Sequence, residues 1–60
     1  MATYSIYDTD GRLVDCGYSD ERVCCMAAKL WANGNGEGCV VVSSDDETAP
    51  LHDVTPDWQD

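Results

Sequence analysis

Basic side chains are scarce in this sequence. The 60-residue chain has only three Lys and Arg residues against twelve Asp and Glu residues, which gives a formal net charge of −9 at pH 7. Proteins bind nucleic acids and anionic membranes largely through basic side chains, which release counterions from phosphates and are attracted to acidic lipids. The composition therefore excludes DNA, RNA and anionic membrane as direct ligands, and it predicts a cationic partner.

Long apolar runs are also missing. No segment approaches the roughly 20 apolar residues that span a bilayer. The first residues, MATYSIYDTDG, have neither the basic region nor the apolar region of a secretion signal. We therefore expect a protein that remains in the cytoplasm. A chain of 60 residues is expected to form one domain, residues 1–60, that is too small to enclose a deep substrate cleft.

Patterns typical of catalysis or metal binding are lacking as well. His52 is the one histidine, and it stands near no recognisable nucleophile motif. Residues 8–11 (DTDG) resemble the start of a calcium loop. However, Leu13 stands where such a loop needs glycine, and Ser19 stands where it needs a bidentate glutamate. We expect neither an enzyme nor a bound metal or cofactor.

The cysteine spacing favours free thiols. Four cysteines are present: Cys16, Cys24, Cys25 and Cys39. The intervals between them are seven, zero and thirteen residues, which do not match the Cys-x(2–4)-Cys pairs of structural zinc sites. The adjacent pair falls within a helical pattern, where neighbouring side chains point in different directions. We expect reduced thiols, most of them buried as small apolar side chains.

A β-hairpin is predicted at the start of the chain. Residues 3–8 (TYSIYD) favour a strand, residues 8–11 supply a turn ending in Asp-Gly, and residues 12–18 (RLVDCGY) favour the returning strand. Side chains alternate between the two faces of a strand. One set is expected on the inner face of this hairpin: Tyr4, Ile6, Val14 and Cys16.

A helix is predicted next. Ser19 is expected to cap it, and the helix is expected to run from Asp20 to about Ala32, with acids at the positive end of its dipole. Apolar residues recur at i, i+4 and i+7 in two neighbouring rows, both expected to pack on the hairpin. The rows are Val23, Ala27 and Leu30, and Cys24, Ala28 and Trp31.

The remaining elements complete the predicted fold. The β-branched run of residues 39–43 (CVVVS) is typical of a central strand. We predict a small α+β domain of order β-β-α-β, in which one helix packs on a three-stranded antiparallel or mixed sheet. Residues 1–44 form the folded core of this prediction.

Residues 45–60 are predicted to form an acidic C-terminal segment. Two prolines make it loop-like, with a short extended stretch at residues 51–54. Its apolar side chains Leu51, Val54 and Trp58 argue against complete disorder. We expect them to dock part of the segment on the bare face of the sheet.

The acidic residues are the candidate functional residues. Six carboxylates and no Lys or Arg follow Ser43. Other acids gather at the predicted turn and at the helix start. The candidate partner-binding residues are Asp8, Asp10, Asp20, Glu21, Asp45, Asp46, Glu47, Asp53 and Asp57. A compact chain of this length is on the order of 25 Å across, and duplex DNA of that length has roughly 15 phosphate charges. Twelve carboxylates approach that number, so mimicry of DNA is numerically possible.

In its length, its acidity, its β-β-α-β pattern and its lack of catalytic motifs, the chain resembles small phage-encoded anti-CRISPR proteins. Members of this class block the DNA-binding surface of a multi-subunit (type I) surveillance complex. The resemblance implies a monomeric inhibitor, acting in the cytoplasm of the host cell, that binds a basic, DNA-recognising Cas subunit. Its carboxylates would compete with target DNA for that subunit.

Two other classes of protein fit the same composition. A protein-interaction or regulatory module could bind its partner through aromatic side chains, with acids serving solubility. The aromatic residues are Tyr4, Tyr7, Tyr18, Trp31 and Trp58. A domain adapted to high salt could also be this acidic, since nine of its twelve acids are Asp. Salt separates the classes, because it weakens electrostatic binding and stabilises a halophilic domain.

Overall fold

One helix lies on a four-stranded antiparallel sheet. The computed structural model describes residues 2–57. Its elements are β1 (Tyr4–Asp8), β2 (Leu13–Tyr18), α1 (Glu21–Asn35), β3 (Cys39–Ser43) and β4 (His52–Val54). The strand order is β2-β1-β3-β4, and every pairing is antiparallel. The α+β class with one helix is confirmed. The sheet has four strands instead of the three expected, because part of the C-terminal segment pairs with β3.

The β1–β2 hairpin forms at the predicted turn. The Asp8 carboxylate accepts hydrogen bonds from the amides of Asp10 at 3.0 Å and Arg12 at 2.8 Å, while Gly11 takes the positive φ of 83° that the turn requires. The pairing then shifts register along β2, where Gly17 has a φ of 88°. The irregularity changes the direction of the side chains. Cys16 is consequently exposed, and the prediction that it faces inward is wrong.

The helix is longer than expected and has a different cap. Asp20 is the N-cap, and its carboxylate accepts a hydrogen bond from the amide of Arg22 at 2.9 Å. At the other end Gly36 adopts the left-handed conformation with φ 70°. The extra turn beyond Ala32 is stabilised by a side-chain hydrogen bond from Asn35 to the Trp31 carbonyl at 2.8 Å.

Only one of the two predicted helix rows faces the sheet. The buried core consists of Ile6, Cys24, Ala28, Ala32, Cys39, Val41 and Val54, with Trp31 partly buried against it. Small helix side chains let α1 approach the sheet closely. In the other row, Val23 is 50% exposed and Leu30 is 73% exposed. The prediction that this row packs on the hairpin is therefore wrong for its two larger members.

The strand β3 is central, as its β-branched run predicts. Val41 is fully buried and Val42 is 3% exposed. Residues 52–54 pair with β3 as the edge strand β4, so this part of the C-terminal segment is a strand. Val54 is buried against the helix side of the sheet and not on the bare face, whereas Leu51 is 46% exposed. The expected docking of Trp58 lies outside the described residues.

The thiols are free and mostly shielded. Cys24 and Cys39 are buried, Cys25 is half-buried, and Cys16 is exposed. Burial raises the pKa of Cys24 to about 11 and also raises the pKa of Cys39. The two buried thiols thus remain protonated at neutral pH and act as small apolar side chains. Within residues 2–57, no helix has the length and apolar character needed to cross a membrane.

Candidate functional site

The face of the sheet opposite α1 contains a groove. Alternate residues of β1 and β3 point away from the helix, so that Tyr7, Val40 and Val42 form an apolar floor. The loop of residues 44–51 contributes Pro50, and two acidic residues, Asp8 and Glu47, also line the groove. These six residues define the open-face groove, whose volume is about 470 Å³. An apolar floor with charges at its edge suits an amphipathic cationic group.

Further acids lie beside this groove. Asp53 is the pairing partner of Val40 across the β3–β4 ladder, and directly opposite residues share one face of a sheet. Asp10 follows Asp8 in the hairpin turn. The structure thus brings together candidates from three separate parts of the sequence, namely the turn, the loop after β3 and the edge strand β4.

Within the loop, Asp46 has a structural role. Its carboxylate accepts hydrogen bonds from the Thr48 hydroxyl at 2.6 Å and from the Thr48 amide at 3.1 Å, and these bonds lower its pKa. Asp46 also forms an isolated bridge to Ser43. The neighbouring Asp45 uses only its backbone amide, which donates to the Ser43 hydroxyl at 3.2 Å. Asp46 therefore shapes the loop, while the carboxylate of Asp45 projects from it.

Two of the other candidates stabilise the helix side of the domain. Asp20 caps α1, as described above. Glu21 lies 2.6 Å from the ring nitrogen Nε2 of His52, which ties the first turn of the helix to β4. These acids belong to a different surface from the open-face groove.

Asp57 also lies on the helix side. Its carboxylate is 2.9 Å from the Lys29 ammonium and accepts a hydrogen bond from the Asn33 amide at 3.1 Å. Lys29 is the main cause of the lowered pKa of Asp57, and Asn33 adds to it. Lys29 also donates to the Thr55 carbonyl at 2.7 Å. The charge of Asp57 is thus already paired within the chain.

Several carboxylates remain without an internal partner. Four candidates make no side-chain hydrogen bond or ion pair with any residue in the described part of the chain: Asp10, Asp45, Glu47 and Asp53. Of the three basic residues, Lys29 is bound to Asp57, and Arg22 lies at the start of α1. Arg12, in the turn beside Asp10, is the base nearest this group in sequence. The unpaired carboxylates can accept bonds from an external cation.

Sequence reasoning missed the apolar part of the site. Tyr7 and Val40 were assigned to strands, but nothing local showed that they would form the floor of a groove. The usable signal was the β-branched run of β3, since such a run places apolar side chains on both faces of a sheet. Residues 2–57 contain no group of three or more His, Cys, Asp or Glu side chains that could hold a metal ion.

Neither a protein-family model, nor a curated protein, nor a solved structure matches this chain. The functional assignment therefore rests on the chemistry of the open-face groove and the carboxylates around it.

Proposed function

We propose that this protein is an inhibitor that occupies a basic nucleic-acid-binding surface of a partner protein and presents carboxylates where the partner binds phosphates. The observation that supports this proposal is the set of unpaired carboxylates around the open-face groove. An acid held by an internal lysine would first have to give up that contact. Asp45, Glu47 and Asp53 lose no internal bond when they meet an arginine or lysine, and such charge-assisted hydrogen bonds are about twice as strong as neutral ones.

The net charge of −9 favours fast encounter with a cationic surface, because opposite fields steer association. The domain measures 37 Å along its longest axis, and duplex DNA of that length has about 22 phosphate charges. The protein therefore has less than half the charge of the DNA that it would replace. Electrostatics alone would favour DNA, so contacts that DNA cannot offer must contribute to binding.

The floor of the open-face groove can supply such contacts. A long basic side chain can lay its apolar stem on the half-buried Val40 while its charged end reaches Glu47. An arginine guanidinium can also stack on the ring of Tyr7. This combination of apolar stem and charged head distinguishes Arg and Lys from other groups, which makes the groove suited to a surface rich in these residues.

The candidate partner is a DNA-recognising Cas subunit of a type I surveillance complex in the cytoplasm of a host cell. The support is the resemblance in length, acidity and helix-on-sheet architecture to anti-CRISPR inhibitors of that class. The inhibitor itself is not expected to bind nucleic acid. A gel shift of DNA at low salt with sub-micromolar affinity would contradict the proposal.

The aromatic alternative has less support. Tyr4, Tyr18 and Trp31 are partly buried against the core, while Tyr7 lies in the open-face groove on the other side of the sheet. These rings do not form one continuous surface. If the acids only adapt the protein to high salt, their positions do not matter for binding. Removing two acids from the groove and two from the helix side should then have equal effects.

The test compares two pairs of substitutions that remove the same charge. The groove pair is Glu47→Gln with Asp53→Asn. The control pair, on the helix side, is Glu21→Gln with Asp57→Asn. Both raise the net charge by two and nearly preserve side-chain shape. We expect the groove pair to weaken binding to the purified type I complex at least about tenfold, and the control pair to weaken it less than about threefold.

The measurement is titration binding at 50, 100 and 200 mM salt, with target DNA as competitor and thermal melting as the folding control. Affinity for the parent protein should fall steeply across this range, since salt screens exposed charges. Equal losses for the two folded pairs would favour general acidity over a defined surface. Failure of DNA to compete would refute occupation of the DNA site.

A further inference from the structure

A row of side chains crosses all four strands on the open face of the sheet. Tyr7 of β1 pairs with Leu13 of β2 on one side and with Val40 of β3 on the other, and Val40 pairs with Asp53 of β4. Directly opposite residues share one face of a sheet, so these four residues form one line, which we name the cross-strand row. With strands about 4.8 Å apart the row is about 14 Å long. It is apolar at the Leu13 end and acidic at the Asp53 end.

The apolar part of the cross-strand row is incompletely covered. Leu13 is 54% exposed, and Tyr7 and Val40 are half-buried. When a helix packs on one face of an antiparallel sheet, the other face is ordinarily polar. Here α1 packs on the opposite face, yet a leucine, a tyrosine and a valine stand in line on the open one. An exposed apolar surface of this kind is typical of a binding site for another molecule.

Two loops border the row. The hairpin turn contributes Thr9 and Gly11 to the open-face groove, and the loop after β3 contributes Glu47, Thr48 and Pro50. The turn follows the last residue of β1, the loop follows the last residue of β3, and these two strands are antiparallel. The two loops therefore start from opposite ends of the strands. The groove between them runs across the strands, along the cross-strand row.

We infer that the cross-strand row binds an amphipathic basic helix of the partner protein, with an apolar side chain of that helix on Leu13 and Tyr7 and a lysine or arginine over Asp53. The inference rests on the proposed function, because it names the element of the basic partner that the open-face groove receives. Charge complementarity selects the occupant. Asp53 and Glu47 make no side-chain bond within the described part of the chain, and the net charge of −9 repels a second copy and an acidic membrane alike.

A helix suits this surface better than an extended segment. The face of a sheet offers few backbone groups to a ligand, because those of β1 and β3 are paired within the ladder. An extended segment pressed on it would leave amides and carbonyls without partners, whereas a helix satisfies them internally. Residues i and i+7 of a helix lie on one face about 10.5 Å apart. The flexible stem of a lysine or arginine can span the remaining distance of about 3.5 Å to the acidic end of the row.

The experiment uses two synthetic peptides of about 15 residues that have the same numbers of leucine and lysine. In the helical probe the leucines recur at i, i+3, i+4 and i+7, and in the alternating probe leucine and lysine alternate as in an amphipathic strand. Each peptide carries a fluorophore, and its binding to the full chain is followed by anisotropy at about 150 mM salt. We expect the helical probe to bind at least about tenfold more tightly than the alternating probe.

Substitutions in the chain locate the bound probe. Leu13→Ser should weaken binding of the helical probe at least about fivefold. Leu30→Ser is the matched control, since Leu30 is 73% exposed but lies on α1, and it should change binding less than about twofold. Val40→Thr keeps a β-branched side chain in the strand and should weaken binding at least about threefold. Circular dichroism and thermal melting show whether each variant is folded.

Equal binding of the two probes would refute a helical occupant. Equal losses for Leu13→Ser and Leu30→Ser would place the probe on α1 and overturn the assignment to the open face. The peptide assay contains neither a Cas complex nor DNA, so its failure is distinct from failure of the proposed function. A chain that competes with target DNA for the type I complex but does not prefer the helical probe would retain the proposed function and lose this inference.

Discussion

Replacing Ile6 by alanine should test which residues hold the domain together. Ile6 lies at the centre of β1, is 1% exposed, and pairs with Val41 of β3. It also packs beneath the buried row of α1. The substitution removes apolar volume at the point where the sheet and the helix meet.

The expected cost follows from the atoms removed. Three buried carbons are worth about 0.8 kcal/mol each, or about 2.4 kcal/mol, and the cavity left behind brings the range for such changes to about 2–5 kcal/mol. A domain of 60 residues has a free energy of unfolding of about 3–9 kcal/mol. The loss is therefore a large part of the total. At about 4–8 °C per kcal/mol, a loss near 3 kcal/mol lowers Tm by about 12–24 °C.

Leu30→Ala is the matched comparison. Leu30 is 73% exposed, so about a quarter of its burial energy, about 0.4–0.8 kcal/mol, is at stake, and the higher helix propensity of alanine offsets part of that. Thermal melting followed by circular dichroism should show a Tm change below about 5 °C. A larger loss for Leu30→Ala than for Ile6→Ala would refute the assignment of the core.

Three further outcomes are expected. Asp20→Ala should cost about 0.5–2 kcal/mol in urea unfolding, and Ser19→Ala much less, because Asp20 makes the capping bond. The pKa of Asp57 is lowered by folding, so its contribution to stability is present above the unfolded value of about 3.9 and is lost as pH falls through the folded value. Asp57→Asn should therefore show a shallower loss of Tm below about pH 4 than the parent, and an identical acid profile would contradict this. A maleimide probe should label exposed Cys16 quickly and buried Cys24 only on unfolding, which mass spectrometry of the labelled peptides can check.

Several elements could be predicted from local sequence because their causes are local. The Asp8 carboxylate and Gly11 specify the hairpin turn within four residues. The capping and apolar pattern predicted a helix from Asp20 to about Ala32, and the observed helix, Glu21–Asn35, differs from it by less than one turn at its end. The β-branched run of β3 predicted a central strand, since such residues fit a sheet that is covered on both faces.

Other features were decided by the tertiary structure. Two apolar rows on α1 were equally compatible with a core, and the choice between them depended on which side chains let the helix approach the sheet. Cys24 and Ala28 have side chains small enough to fit between the helix and the sheet, whereas the side chain of Leu30 lies on the opposite, exposed side of the helix. The spacing of apolar residues in one helix shows that the helix has apolar sides, but it does not show which of these sides packs on the sheet.

The candidate site likewise depended on long-range pairing. Tyr7 is far from Glu47 and Asp53 in the sequence, and the three share one side of the domain only because β4 pairs with β3 and the preceding loop borders the groove. The sequence predicted a short extended stretch at residues 51–54, but the three residues of β4 are too few to specify the strand with which they pair. It forms because the exposed edge of β3 offers unpaired backbone groups that β4 satisfies.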